Sequence, residues 1–406
     1  MGTIHYQGIS ELVRPFLDEG DTRSPIEVVK QATLSVSDGV VVFAGPQDSA
    51  TINDGDTTID LEGRAVLPGL IDSHTHIVFA GDRMDEMARR TRGETYEEIA
   101  KAGGGIVRSV EALRATELSS IVTQSQKRLQ NMLARGTTTL EIKTGYGLEP
   151  ELENLQLQVI QKLRQTVPDQ TIFATALAHV IPPNRRDNRK EYIDEFCSQV
   201  LGPAAASQTV QFCDVFVEAT AYTPDECRYI AERAKAAGLK IKLHVDQLHE
   251  GGGAALAAEL GALSADHLEL TSAQGREALA QAGTIATILP GCGLFLGGAN
   301  WPNGRALRDA GCEVAIATDC NPGSSMVIDL PLCATMGATQ CGLSLEESLW
   351  GMTRGGAKAL GLNDRGSLSP GERADFIVLD HADWRSLLYN PAAAPLHSVF
   401  IQGNEL

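Results

Sequence analysis

Positive charge is scarce in this 406-residue chain: 34 Lys and Arg stand against 52 Asp and Glu, a formal net charge of −18. That balance argues against nucleic-acid or anionic-membrane binding, since both need clustered Lys and Arg. Long hydrophobic runs are missing as well, and no apolar stretch approaches the ~20 residues that span a bilayer. The N-terminus, MGTIHYQGISELVRPFLDEGDTR, carries acids early and has no apolar core of a secretory signal. Gly2 is in place for myristoylation, but Tyr6 stands where that signal has Ser or Thr. No cysteine precedes Cys197, and none of the eight forms a C-x-x-C pair. This pattern reads as buried thiols, not as a disulfide framework or a structural zinc site, and the expected location is the cytoplasm.

What is present is a large core with many loops: 43% hydrophobic residues, 40 glycines and 17 prolines. Between residues 64 and 323 short apolar runs alternate with helical patterns. The runs are RAVLPGLIDSHTH, TTTLEIKTGYG, TIFATALAHV, DVFVEAT, IKLHVDQ, LSADHLE, TIATILPG and EVAIATDCNPG. PELENLQLQVIQKLRQTV and PDECRYIAERAKAAG, which lie between them, space their apolar residues as helices do. Wholly apolar strands alternating with helices indicate a parallel sheet buried on both faces. Eight such units predict an α/β fold, a (β/α)8 TIM-type barrel over residues 65–364, with function at the C-terminal strand ends. Residues 1–64 and 365–406 read as short strands, with Asp38-Gly39 as a hairpin signal, and predict one composite β-sandwich domain.

Polar residues cluster at the ends of those strands. His74 and His76 form a His-x-His pair after the first run; two residues apart on a strand, both point to one face. His244 closes the fifth strand, His267 the sixth and Asp319 the eighth. Three imidazoles and a carboxylate suit a borderline divalent ion, zinc or iron, so His74, His76, His244 and Asp319 are the expected ligands. Such an ion lowers the pKa of a water and polarises an amide carbonyl.

The segments PGLIDSHTHIVFAGDR, EIKTGYGLEPELE, AHVIPP, SADHLE and ATDCNPGS, with the His244/Gln247 pair, resemble the imidazolonepropionase family of the amidohydrolase superfamily. The resemblance runs from the first β segment to ADFIVLD. It implies a mononuclear hydrolase that opens the ring of 4-imidazolone-5-propanoate to N-formimidoyl-L-glutamate, in histidine degradation. Two-metal relatives place a bridging lysine after the fourth strand; here DVFVEAT offers Glu218, which favours one ion per chain. Lys143, on the second strand, is read as an ion pair at the barrel rim.

Roles follow from the resemblance and from chemistry together. Asp319 is expected to take the proton of the attacking water and pass it to the leaving nitrogen, with His267 orienting water or carbonyl. Gln247 is expected to reach the substrate ring, and as an amide it is no general base. Holding a propionate in an acidic protein calls for a local cation, and Arg83 in AGDR offers a bidentate fork. Tyr96, Tyr146 and His179 are further candidates for the carboxylate or the ring, as are Asn321, Gly323 and Ser324 in the turn after Asp319. His5, His249, His381 and His397 are left as surface or structural residues.

One stretch departs from the family pattern. After the seventh strand the chain has GCGLFLGGANWPNGRALRDAG where a phenylalanine-rich run is usual. The loop 291–305 therefore leaves open a hydantoin-like or other five-membered ring with a carboxylate arm. An aminohydrolase of a small heterocycle, or a non-catalytic scaffold that retains the metal, is the remaining alternative. The expected partners are a small carboxylate-bearing heterocycle and a second copy of the chain, as a homodimer.

Overall fold

The computed structural model describes residues 2–16, 25–94, 98–99, 102–297, 300–393 and 395–406. The strands are β1 (Ile4–Pro15), β2 (Ile26–Ser37), β3 (Val40–Pro46), β4 (Thr57–Asp60), β5 (Val66–Pro68), β6 (Leu70–Asp72), β7 (Thr137–Lys143) and β8 (Thr171–Ala178). They continue as β9 (Phe212–Val217), β10 (Lys240–Val245), β11 (Ser264–His267), β12 (Ile285–Ile288), β13 (Val314–Ile316), β14 (Phe376–Leu379), β15 (Leu396–Ile401) and β16 (Asn404–Glu405).

The eight apolar runs become β6 to β13, hydrogen-bonded in sequence order in one sheet, with every pair parallel. Past the ends of β6 and β13, Thr75 bridges Cys320 in parallel and the Asp319 amide donates to the His74 carbonyl at 3.0 Å. The seam thereby closes, and the sheet is a (β/α)8 barrel.

Helices form where the spacing of apolar residues predicts them. Pro150–Thr166 starts with proline at its first turn and buries Leu152, Leu157, Ile160 and Leu163 along one stripe. Pro224–Ala236 begins with a capping box between Thr223 and Glu226, which satisfies two otherwise orphaned amides. The first stripe packs on β8 and the second on β9 and β10, within the main apolar cluster.

The terminal segments build a second, mixed sheet in the order β16-β15-β14-β5-β1-β2-β3, with β4 pairing β1. Asp38 and Gly39 turn β2 into β3 with φ of 49° and 77°, the pair of positive values that a tight hairpin of this hand demands. Tyr6, Leu12, Leu34, Phe376 and Phe400 form a separate apolar cluster on this sheet. The chain passes from β5 into β6 across a single residue, Gly69, so the terminal sheet is tied directly to the base of the first barrel strand.

No helix among the described residues is long and apolar enough to cross a membrane. All eight cysteines are free, and seven are buried.

Candidate active site

Strand alternation delivers the site. On β7, β9 and β10 every second residue turns outward into the helix layer, and the residues between turn inward. His244, within β10, thereby faces the barrel axis, where its ring centroid lies 4.4 Å from that of His74. His74 and His76 follow β6, and their Nε2 atoms are 3.2 Å apart. Asp319 Oδ1 lies 3.4 Å from Nε2 of His74 and 3.3 Å from Nε2 of His76. All four side chains are essentially enclosed.

These spacings can be tested against a cation. Four donors held about 2.0–2.1 Å from one ion in a tetrahedron lie about 3.3 Å from one another. Nδ1 of His74 donates to Asp266 Oδ2 at 2.7 Å, so Nε2 of that ring presents a lone pair to Asp319 and to His76. Lone pairs converging at this distance in an enclosed space call for a positive charge between them. Nδ1 of His244 sits 3.0 Å from Asp214 Oδ2, and Nε2 of His244 is buried without a hydrogen-bond partner among the described residues. Ligand atoms of His74, His76 and His244 lie within 4.8 Å of one another, and so do those of His74, His267 and Asp319. The donor set fits a divalent transition metal.

The electrostatics follow the same geometry. Burial raises the cost of charge at Asp319, yet the imidazoles of His74 and His76 beside it outweigh that cost and hold this carboxyl well below the usual range. Burial keeps the His244 imidazole neutral, far below its ordinary value. His179 donates from Nδ1 to the Gly145 carbonyl at 2.9 Å, and burial pushes its pKa down to about 4. Asp319 Oδ2 accepts from Asn321 Nδ2 at 2.9 Å and from the buried Cys292 thiol at 2.7 Å. His267 and Asp319 both adopt left-handed backbone, with φ of 85° and 51°. That conformation is sparse for residues other than glycine and gathers at functional sites.

The remaining candidates gather on the same mouth, with two exceptions. Tyr146 lies against His76 and His179, with ring centroids 5.5 and 5.4 Å away. Its loop is held by Glu153, which accepts from the amides of Gly145, Gly147 and Leu148 at 2.8 Å each. Arg83 is buried; its Nε and Nη2 grip Glu86 Oε2 at 2.8 and 2.5 Å, while its Nη1 lies over Gly323. Amides of Gly323 and Ser324 both donate to Asn321 Oδ1 at 2.8 Å, so that turn is braced from within. Gln247 sits partly exposed on the loop after β10, and Tyr96 lies outside the described residues.

One sequence reading shifts. Lys143 is an ion-pair residue, but it lies wholly enclosed inside the barrel and not at the rim. His5 is buried between Ser35 and Asp56, at 2.8 and 3.1 Å, and His249 meets Glu218 Oε1 at 3.0 Å. Several polar residues beneath and beside the site escaped notice: Asp214, Asp266, Glu86, Glu153 and Cys292. Inward positions on β9, read by alternation, would have flagged the first.

The chain is similar over its length to known proteins. The amidohydrolase family profile matches residues 65–406. The imidazolonepropionase of Mesorhizobium japonicum is 42% identical over 380 residues, covering 93% of each chain. That of Deinococcus radiodurans is 40% identical over 403 residues, covering 99% of each. Among solved structures, atrazine chlorohydrolase of Arthrobacter aurescens superposes with a TM-score of 0.74 at 18% identity, over 99% of this chain and 95% of that one. At that identity the likeness speaks for the fold. With its barrel, its His/Asp cluster and these relatives together, the chain belongs to the amidohydrolase family and, within it, to the imidazolonepropionases.

Proposed function

We propose that this chain hydrolyses the ring amide of 4-imidazolone-5-propanoate to N-formimidoyl-L-glutamate, a step of histidine degradation. The observation that carries the reading is the meeting of two features at one mouth. A cluster suited to a divalent ion lies beside a buried guanidinium that packs on the turn following Asp319. A neutral heterocycle would need only the first; a ring with a carboxylate arm uses both.

His74, His76, His244 and Asp319 would hold the ion, one zinc or iron per chain, which supplies an acidified water and a polarised carbonyl. Asp319 takes the proton of the attacking water on a carboxylate oxygen and returns it to the ring nitrogen as the C–N bond breaks. His267, whose Nδ1 faces Glu269 Oε1 at 3.3 Å, orients the water or the carbonyl. Arg83 holds the propionate while Glu86 keeps the guanidinium aimed. Tyr146 and His179 line the ring, and the Asn321–Ser324 turn closes its edge. Gln247 and Tyr96 complete the substrate contacts.

The free thiols suit a cytoplasmic setting, and a homodimer is the commonest assembly for enzymes of this size. We further assign residues 1–64 and 365–406 to a companion domain of the barrel at 65–364.

The decisive assay follows ultraviolet absorbance of freshly made imidazolonepropionate, with hydantoin propionate in parallel. Loss of the imidazolone chromophore, with formimidoylglutamate as product, is the expected result. Turnover of the hydantoin alone would assign the ring specificity to the altered 291–305 loop and overturn the reading.

A further inference from the structure

Beneath the histidines the barrel holds five charged side chains that the reaction does not use. Glu141 and Lys143 come from β7, Asp214 from β9, Lys242 from β10 and Asp266 from β11, each 0% exposed. Enclosing so many charges is costly unless every one is matched. Each of the five lies in at least one ion pair. Lys143 Nζ lies 2.7 Å from Asp214 Oδ2, 3.0 Å from Glu141 and 3.6 Å from Asp266 Oδ2. Lys242 Nζ lies 2.9 Å from Glu141 Oε2 and 3.9 Å from Asp266 Oδ2, and it donates to the Ser73 carbonyl at 2.8 Å.

The network leads upward to two rings. Asp266 receives Nδ1 of His74 at 2.7 Å, and Asp214 faces Nδ1 of His244 at 3.0 Å. The His74 ring is thereby set with Nδ1 as donor and Nε2 toward Asp319, and Asp214 lies against the Nδ1 side of His244, the arrangement that carboxylate–histidine pairs impose on metal ligands. Three carboxylates against two ammonium groups leave one negative charge, and Asp319 adds a second. A single divalent ion closes the account.

We propose that Lys143 and Lys242 are positioning residues of the metal centre: they anchor Asp214 and Asp266, which fix His74 and His244 toward one ion, and they supply the positive charge that a second ion would otherwise bring. The inference rests on the metal reading given above. An ion pair that served only folding would need no connection to the ligand rings, and here both carboxylates touch them.

The test measures the Zn(II) dissociation constant of the full chain by competition with a chromophoric chelator, alongside thermal unfolding of the metal-free protein. Lys143→Met and Lys242→Met should each weaken Zn(II) binding by about 10- to 100-fold, the usual cost of losing an outer-shell partner. Folded variants that melt earlier yet bind Zn(II) as the parent does would overturn the proposal. Should the methionine variants not fold, Lys143→Gln and Lys242→Gln are read in the same way. Failing those, the near-isosteric Asp214→Asn and Asp266→Asn decide: weakened binding supports the anchoring chain, and unchanged binding refutes it. Parent protein that takes up no Zn(II) at all would instead refute the metal reading on which this one stands.

Discussion

A Cβ placed on Gly323 would lie 2.3 Å from Nη1 of Arg83. The guanidinium occupies the space that any other residue's side chain would fill, so the absence of one there lets the cation pack on the turn after Asp319. Gly323→Ala should push Arg83 aside and raise KM for the carboxylate substrate with a small change in kcat. Arg83→Met should raise KM by tens- to hundreds-fold, the loss of a charge-assisted pair worth about 2–3 kcal/mol. An analogue ending in a neutral methyl group should be affected little by either change. Equal losses for the charged and neutral compounds would leave Arg83 a support for its loop.

Asp319 touches two histidines through Oδ1 and the Asn321 amide and Cys292 thiol through Oδ2. Asp319→Asn keeps the shape and most of these contacts but removes the proton acceptor. A fall in kcat of ~10²–10⁴ is expected, with an unfolding transition still cooperative. An unchanged kcat would transfer the proton to His267.

Elemental analysis of protein purified without added metal should give about one equivalent of zinc or iron per chain, as for one site with four protein ligands. Removing it with a chelator should lower the melting temperature, because an ion that binds only the folded state stabilises it by mass action. Restoring one equivalent should return the original melting curve. Two equivalents, both required for turnover, would contradict the single-ion reading of Glu218 and the fourth strand.

The His179 ring lies against His76, Tyr146 and Phe216, and its pKa falls to about 4. The folded state therefore prefers the neutral ring more than the unfolded chain does, where the pKa is near 6.5. This term costs nothing above pH 6.5 and destabilises the fold progressively as the pH drops toward 4. A ring-nitrogen NMR titration should show Nδ1 protonated and Nε2 bare throughout the neutral range. A midpoint at or above 6.5 would mean that burial does not favour the neutral ring.

The His-x-His pair was legible because a two-residue period on a strand needs no partner to be meaningful. The eight apolar runs were equally plain, since strands covered on both faces leave long stretches with few polar residues. The polar residues inside those runs carried a message of their own. In TTTLEIK, FCDVFV and KIKLHV the charged residues Glu141, Lys143, Asp214 and Lys242 fall on alternate positions, which the barrel turns inward. Asp266 was hidden by its neighbour. Adjacent strand residues should face opposite ways, but the positive φ at His267 breaks the alternation and leaves Asp266 free to reach His74 from the same strand end.

Sequence alone determined the barrel, the terminal strands and the identity of the residues that gather at its mouth, because periodicity and strand-end chemistry are local properties. What only the tertiary structure decided is who meets whom. Arg83 with Gly323, and the two buried lysines with the carboxylates behind His74 and His244, join residues far apart in the chain, from different strands and loops. Burial then gives those meetings their force: in a low-dielectric interior each charge must find its partner, and that requirement fixes the orientation of the groups that do the chemistry.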